Sequence, residues 1–219
     1  MKYFVYNKCS NMLKGGLDMI IAFTGAGVSK ESGIDTFQDR PGIRDYLVRS
    51  YAKQNPEKYR EVMREFMNTI KGKEPNDAHI ALAEYGVPVI TMNVDTLHEM
   101  AGTKDIIKLH GRLPTEEEWP YCDRLYNTPV LYEDPAPMYQ SGYDWIWLME
   151  KGDIFLVIGA STYTTVSSQM RICALGTGAE VVEIQDNAGT KVRKFLEENK
   201  DKIGSMEDFK RRIEKYNFN

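Results

Sequence analysis

Five short apolar runs along the chain predict the strands of one buried sheet. They cover residues 19–23, 87–92, 106–109, 154–158 and 180–184, and stretches of helical periodicity separate them. Continuous apolar runs of this length are typical of parallel strands that helices cover on both faces. The pattern therefore predicts an α/β protein with a Rossmann-like parallel sheet.

The segment between Asn55 and Gly72 predicts an amphipathic helix, with Asn55 as its N-cap and Pro56 in its first turn. Its apolar residues recur at helical spacing, which favours packing in the core over a binding groove; they are Tyr59, Val62, Met63, Phe66, Met67 and Ile70. A second predicted helix, over residues 76–85, contains His79, which we interpret as a hydrogen-bonded structural histidine.

Length and charge narrow the class of protein. A chain of 219 residues fits a single domain. We expect its sheet core over about 15–40, 75–111 and 152–219, and a small inserted helical or irregular lobe over about 41–74 and 112–151. The formal charge of −4 argues against specific nucleic-acid binding. Neither a secretory signal nor an apolar stretch of ~20 residues is visible, so we expect a cytoplasmic protein without a membrane segment.

Each apolar run ends in small or polar residues on its carboxyl side. Among them are Gly25, Asn93, Asp95, His110 and Ser161. Open parallel sheets bind ligands outside the carboxyl ends of their strands. Because the five runs are predicted to share one sheet, these residues are expected to converge, and the pattern predicts a nucleotide-type site.

The turn after the first run has a glycine pair, Gly25 and Gly27, on either side of Ala26. Glycines between a strand and a helix allow backbone N–H groups to approach a phosphate closely, and Ser29 is predicted to cap the following helix. A full G-x-G-x-x-G pattern would have glycine where Lys30 stands. The turn alone is therefore equally compatible with a simple tight connection.

The continuation of this turn is more specific. Residues 25–38 resemble the cofactor-binding signature of the sirtuin (Sir2) family, G-A-G-x-S-x-x-S-G-I-P-x-F-R. Residues 89–102 resemble the family's T-Q-N-x-D-x-L-H-x-x-A-G segment, 107–111 its strand ending in the catalytic histidine, and 159–161 its G-T-S turn. By this ordered series, over residues 19 to about 187, the chain is identified as a member of the family.

The resemblance implies an NAD-dependent protein lysine deacylase that releases nicotinamide and O-acyl-ADP-ribose. Asp95 would hold the nicotinamide carboxamide with Asn93 close by, and His110 would be the general base that activates a ribose hydroxyl. A histidine near its ordinary pKa of ~6.5 suits that proton transfer. The implied NAD-binding residues are Gly25, Ala26, Gly27, Ser29, Ser32, Gly33, Phe37, Gln38, Met92, Asn93, Asp95, Gly159, Ala160, Ser161 and Gln185.

Four positions in the NAD site depart from the family pattern. Asp35 replaces a proline, Gln38 an arginine, Met92 a glutamine and Gln185 an asparagine. Much of the expected NAD binding uses backbone groups and shape. The resemblance therefore implies retained but weaker binding.

The segment 112–151 differs from the family pattern more than the NAD site does. Sirtuins usually have two C-x-x-C pairs here that bind a structural zinc, whereas this segment contains only Cys122. One thiolate cannot form a tetrahedral site, so no zinc is expected. The aromatic residues and prolines of the segment either pack a small lobe without metal or form an unusual substrate surface, and packing is the favoured interpretation. Glu133 stands for a glycine in the strand that pairs with the peptide substrate, which puts that mode of binding in question.

Two other functions remain open from the sequence. The first is ADP-ribosyl transfer or NAD hydrolysis, which shares the cleavage of nicotinamide but needs no acyl-lysine channel. The second is a non-enzymatic sensor of NAD or ADP-ribose. The expected partners are NAD and an acyl-lysine protein or peptide, or another ADP-ribose acceptor, with no specific nucleic acid and no membrane.

Overall fold

The computed structural model describes residues 18–36, 42–208 and 211–212. Its sheet has five strands, numbered here in chain order: β1 Ile20–Thr24, β2 Val89–Thr91, β3 Ile106–Lys108, β4 Ile154–Ile158 and β5 Glu180–Ile184. Their spatial order is β3-β2-β1-β4-β5, and every neighbouring pair is parallel. The predicted α/β class and Rossmann-like parallel sheet are confirmed.

The sheet reverses its winding at β1. From this central strand the chain adds β2 and then β3 on one side, and later β4 and then β5 on the other. Such a reversal leaves a crevice outside the carboxyl ends of the central strands. The fold therefore predicts a ligand site beyond Thr24 and Ile158, the last residues of β1 and β4, between which the winding reverses.

Within the described residues, the α-helices whose bounds are complete pack on the sheet or beside it. They are α1 Arg49–Gln54, α2 Pro56–Ile70, α3 Asp77–Glu84, α4 Leu97–Met100, α5 Met138–Trp147, α6 Thr165–Thr177 and α7 Ala188–Glu198. Short 3₁₀ helices span Ala26–Ser32, Ile43–Tyr46, Trp119–Tyr121 and Lys200–Lys202. None of the helices in the described ranges is long and apolar enough to cross a bilayer.

Both faces of the central strand are buried, which explains its continuous apolar sequence. Ile20 and Ala22 of β1 pack with α3 and α7 on one face. Ile21 and Phe23 pack with α5 and α6 on the other. Alternate residues of a strand point to opposite faces, so only a strand covered on both sides has no polar position.

A third apolar cluster lies beside the sheet. It joins α1 and α2 to the segment after β3, and its buried members are Ala52, Tyr59, Val62, Met63, Cys122 and Leu131. These residues come from the two segments predicted as a small lobe. However, α5 packs on the sheet through Ile146, although it also lies within the predicted lobe segment 112–151. The division into sheet core and lobe stays a prediction.

The N-terminal ends of α2 and α3 differ in their side-chain capping. Asn55 precedes α2, but its side chain makes no capping bond and instead donates to the carbonyl oxygen of Tyr51, 3.4 Å away. Asn55 therefore occupies the predicted N-cap position, with Pro56 in the first turn, and its backbone carbonyl accepts the first bond of the helix, but its side chain does not cap the helix. Asn76 does cap α3, in a reciprocal arrangement with His79.

Candidate active site

A cavity of about 440 Å³ opens at the carboxyl ends of β1, β2 and β3. Six of the predicted site residues line its wall: Ala26, Ser29, Met92, Asn93, Asp95 and His110. They follow three neighbouring parallel strands, so the sheet brings together side chains that are up to 84 positions apart in sequence.

Ser29 joins the polar side chains on one side of this cavity. Its hydroxyl donates to Asp95 Oδ2 over 2.9 Å and accepts from Asn93 Nδ2 over 3.1 Å. The other carboxylate oxygen of Asp95 accepts the backbone N–H of Leu97 over 3.1 Å. All three polar side chains are nearly inaccessible to solvent. The buried bonds hold the amide of Asn93 and the carboxylate of Asp95 in fixed orientations.

The predicted capping role of Ser29 is wrong. Ser29 lies inside the 3₁₀ helix Ala26–Ser32, whose N-cap is Gly25, and no side chain caps that helix. The tight winding turns the Ser29 hydroxyl inward, where it meets Asn93 and Asp95 instead of the helix end. A capping pattern and a buried site serine have the same sequence signature, so only the winding of the helix distinguishes them.

His110 follows β3 and has a defined tautomer. Its Nδ1 lies 2.9 Å from the carbonyl oxygen of Met92. A carbonyl only accepts hydrogen bonds, so Nδ1 carries the proton and Nε2 carries the lone pair. The hydroxyl of Tyr139 lies 2.9 Å from Nε2 and donates to it. Burial lowers the pKa of His110 below its ordinary value, partly offset by the bond to Met92. The imidazole is therefore neutral near pH 7.

Two further histidines lie behind the cavity. His79 accepts the Asn76 backbone N–H at Nδ1, and its Nε2 lies 3.5 Å from the Ser29 hydroxyl. Burial lowers the pKa of His79 to about 4. His98 is almost fully buried, and its Nε2 lies 3.0 Å from the hydroxyl of Thr24. His79 is hydrogen-bonded and buried, in agreement with the structural role predicted for it.

The glycine turn differs from the expectation that its N–H groups face a phosphate. The N–H of Gly25 donates to the carbonyl of Ile158 over 3.0 Å, and that of Gly27 donates to the carbonyl of Gly159 over 2.9 Å. A Cβ atom at Gly27 would lie 2.7 Å from the Cα of Gly159. Both glycines thus allow the turns after β1 and β4 to pack backbone to backbone, and Ala26 between them lines the cavity.

The remaining predicted NAD-binding residues have varied positions. Met92 lines the cavity, whereas the other described members lie outside its wall: Gly25, Gly27, Ser32, Gly33, Gly159, Ala160, Ser161 and Gln185. Gln185 donates to the carbonyl of Ala160 over 3.1 Å, and Ser32 accepts from Asn76 over 3.1 Å. Phe37 and Gln38 lie outside the described residues. The cofactor roles of all these residues stay predictions.

The cavity also contains residues that were not predicted as part of a site. Met63, Phe66 and Ile70 of α2 line it, so the apolar stripe of this helix is core at Tyr59 and Val62 and cavity wall toward its end. Tyr139 of α5 also lines the cavity; it belongs to the aromatic residues of segment 112–151 for which the sequence favours packing over a substrate surface. Periodicity reports which face of a helix is apolar, but it does not report whether a neighbouring element covers that face.

A Rossmann-like sheet with buried amide, carboxylate and imidazole groups at its switch point defines a nucleotide-binding α/β protein. The sequence profile of the Sir2 family matches residues 25–140. The chain belongs to the Sir2 family, which confirms the resemblance drawn from its motifs.

Individual relatives agree with this assignment. A protein of Thermococcus sibiricus named NAD-dependent protein deacylase is 32% identical in an alignment 207 positions long that covers 75% of this chain and 79% of that one. A protein of Pyrococcus furiosus with the same name is also 32% identical, over 81% of this chain and 86% of that one. The crystal structure of a Sir2 homologue in complex with NAD is similar in fold, with a TM-score of 0.72 at 24% identity; it covers 83% of this chain and 89% of that one.

Proposed function

We propose that this protein is an NAD-dependent protein lysine deacylase that releases nicotinamide and O-acyl-ADP-ribose. The observation that carries the proposal is that Asn93, Asp95 and His110 line one cavity at the ends of neighbouring strands. Its support also includes relatives with the names NAD-dependent protein deacylase and NAD-dependent protein deacetylase, which cover most of the chain.

The polar side of the cavity suits the nicotinamide end of NAD. A carboxamide offers two N–H donors and one carbonyl acceptor. The carboxylate of Asp95 accepts such donors, and the nearby amide of Asn93 both donates and accepts. Because Ser29 and the backbone of Leu97 already orient the carboxylate, little reorganisation accompanies binding. In the deacylation reaction this fixed polar group would hold the nicotinamide ring while its bond to ribose breaks.

His110 suits the proton transfer that follows. After nicotinamide leaves, the acyl oxygen of the substrate attacks the ribose, and a base must then activate a ribose hydroxyl. The neutral imidazole carries on Nε2 the lone pair that accepts a proton, and this nitrogen faces the Tyr139 hydroxyl. The bond from Nδ1–H to the carbonyl of Met92 stabilises the positive charge that forms. The tautomer seen in the structure is therefore the one a general base needs.

The acyl-lysine peptide would enter beside residues 130–132, all three of which line the cavity. Glu133 keeps the left-handed backbone that a glycine favours, with φ of 75°. Its carboxylate accepts the N–H and hydroxyl of Ser50, at 2.9 and 3.1 Å. The Glu133 side chain is thus engaged with α1, so this substitution leaves the peptide-binding proposal intact.

A cytoplasmic location forms part of the proposal. Both cysteines in the described residues, Cys122 and Cys173, are free thiols. Free thiols suit a reducing compartment, where protein disulfides are rare.

The test is mass spectrometry of the products formed from NAD with a panel of acyl-lysine peptides. Deacylation gives O-acyl-ADP-ribose and nicotinamide release that depends on the peptide. Free ADP-ribose without peptide would instead indicate an NAD glycohydrolase, and a gain of ADP-ribose mass on protein would indicate a transferase. Saturable NAD binding without turnover of any peptide would replace the proposal with the sensor function.

A further inference from the structure

The hydroxyl of Tyr139 occupies the only lone pair that His110 presents to the cavity. The imidazole has one acceptor nitrogen, because Nδ1 is protonated and bonded to Met92. The Tyr139 hydroxyl donates to that nitrogen over 2.9 Å, and Tyr139 itself lines the same cavity. A substrate hydroxyl that approaches Nε2 therefore meets the phenol oxygen first.

The position of Tyr139 is determined by the docking of α5 on the sheet. Tyr139 is the second residue of α5, and Gly142 lies one turn further on. A Cβ at Gly142 would lie 3.0 Å from side-chain atoms of both Leu109 and Met170. The absence of a side chain lets α5 approach β3 and α6 closely, which brings the first turn of the helix next to His110. Tyr143 lies four residues after Tyr139, and its hydroxyl instead donates a hydrogen bond to the side-chain oxygen of Gln169 over 3.1 Å.

The chemistry of the phenol suits a proton relay. Burial raises the pKa of Tyr139, so its hydroxyl is protonated and can donate to Nε2. A phenol oxygen donates one hydrogen bond and can accept another at the same time. A ribose hydroxyl can therefore donate to Tyr139 while Tyr139 donates to His110, without breaking the bond seen in the structure.

We propose that Tyr139 is a catalytic residue that carries the proton from the substrate hydroxyl to His110, a role that rests on the proposed deacylase function. The ribose O–H bond breaks and its proton passes to the oxygen of Tyr139, whose own proton passes to Nε2 of His110. The products are a ribose alkoxide, a neutral Tyr139 and an imidazolium that Met92 stabilises. Protons and charge balance without any further reactant.

The kinetic test compares Tyr139→Phe with the matched variant Tyr143→Phe. Phenylalanine keeps the ring that packs against the core and removes only the hydroxyl. With NAD and acyl-peptide, Tyr139→Phe is expected to lower kcat by about 10²–10⁴-fold, as general acid–base groups do, with KM for NAD changed less than about threefold. Tyr143→Phe, on the same helix but bonded to Gln169, is expected to retain the activity.

A double variant shows whether Tyr139 acts through His110. In a His110→Ala background, adding Tyr139→Phe is expected to cause no further loss, because both groups serve one proton transfer. A kcat for Tyr139→Phe within about threefold of the wild type would overturn the proposal, since the substrate would then displace the phenol. A full additional loss in the double variant would also overturn it.

A spectroscopic test is independent of activity. The chain has three histidines, so ¹⁵N-histidine labelling gives few resonances, and His110→Ala assigns those of His110. The wild type is expected to show an Nδ1-protonated ring with a hydrogen-bonded Nε2, and Tyr139→Phe should shift Nε2 alone. An unchanged Nε2 resonance would contradict the proposed proton relay. Failure of the proposed deacylase function can be told apart from failure of the relay, because the wild type itself would then show no nicotinamide release that depends on the peptide.

Discussion

Arg49 and Asp134 form a buried bidentate ion pair beside the cavity. Nε and Nη2 of Arg49 each lie 2.7 Å from an oxygen of the Asp134 carboxylate. The guanidinium also donates to the carbonyls of Asp123 and Leu125 and lies 4.5 Å from the ring centre of Tyr126. One side chain at the start of α1 thus contacts four residues of the segment 112–151, where other sirtuins usually have zinc.

Replacement of Arg49 by methionine is expected to destabilise the protein by about 3–5 kcal/mol, because the buried carboxylate of Asp134 keeps the N–H of Leu131 but loses its ion-pair partner. Chemical denaturation measures the change. The exposed pair Lys58–Glu61 provides the control, since its two side chains are 53% and 62% accessible, and Glu61→Gln should leave stability unchanged. Equal stability of the Arg49→Met variant and the wild type would contradict this account of the lobe.

The absence of structural zinc remains a prediction that elemental analysis can test. Burial raises the pKa of Cys122 to about 11, so its thiol is protonated at neutral pH and poorly suited as a metal ligand. Within the described residues, no group of three or more His, Cys, Asp or Glu side chains is arranged to hold a metal. We expect substoichiometric zinc and a Tm that chelators leave unchanged. One tightly bound zinc per chain would refute the prediction.

Gly27→Ala is expected to lower both stability and NAD affinity. The added Cβ would lie 2.7 Å from the Cα of Gly159, and neither backbone can move aside without separating the turns after β1 and β4. Calorimetric titration with NAD and a thermal melt give the two readouts. Gly176 in α6 is the control, because a Cβ there meets nothing within 4 Å. Gly176→Ala should stabilise by about 0.5–1 kcal/mol and leave binding unchanged, since alanine favours a helix.

Substitutions of Asp95 and His110 should affect different steps of the reaction, namely the binding and release of nicotinamide and the later proton transfer. Asp95→Asn keeps the size of the side chain but removes the negative charge, so both nicotinamide release and the hydrogen bond from Ser29 should weaken. His110→Ala should reduce product formation by about 10²–10⁴-fold while NAD binding persists. The measurements are peptide-dependent nicotinamide release and NAD titration. Rapid NAD loss without peptide that survives His110→Ala would favour a hydrolase.

Stability should fall as the pH is lowered from about 6.5 toward 4, in part because of His79. Its pKa is about 4 in the folded protein, below the ordinary value of about 6.5. Between these two values the unfolded chain binds more protons than the folded one, so acid favours unfolding by at most about 1.4 kcal/mol per pH unit for this group. Denaturation at several pH values measures the slope, and His79→Gln should reduce it. An unchanged slope would show that His79 does not contribute to the pH dependence of stability.

Much of the fold was predictable because it depends on local patterns. The bounds predicted for β4 and β5 agree with the structure, and those of β1, β2 and β3 differ by at most two residues at either end. A strand buried on both faces must be apolar throughout, and its sequence shows this directly. The rule for ligand sites in parallel sheets then placed Asn93, Asp95 and His110 near one another before any contact was known.

Local sequence by itself thus determined the strands, the class of fold and the edge of the sheet where polar residues gather. The tertiary structure alone decided the inward turn of Ser29, the engagement of the glycine N–H groups, the exposure of the end of α2 to the cavity and the contact of Tyr139 with His110. Those contacts join residues 29 to 133 positions apart, and they depend on how closely two elements pack. Periodicity describes each helix or strand separately and gives no distance between two of them. The contacts between elements therefore follow only from how those elements pack in the tertiary structure.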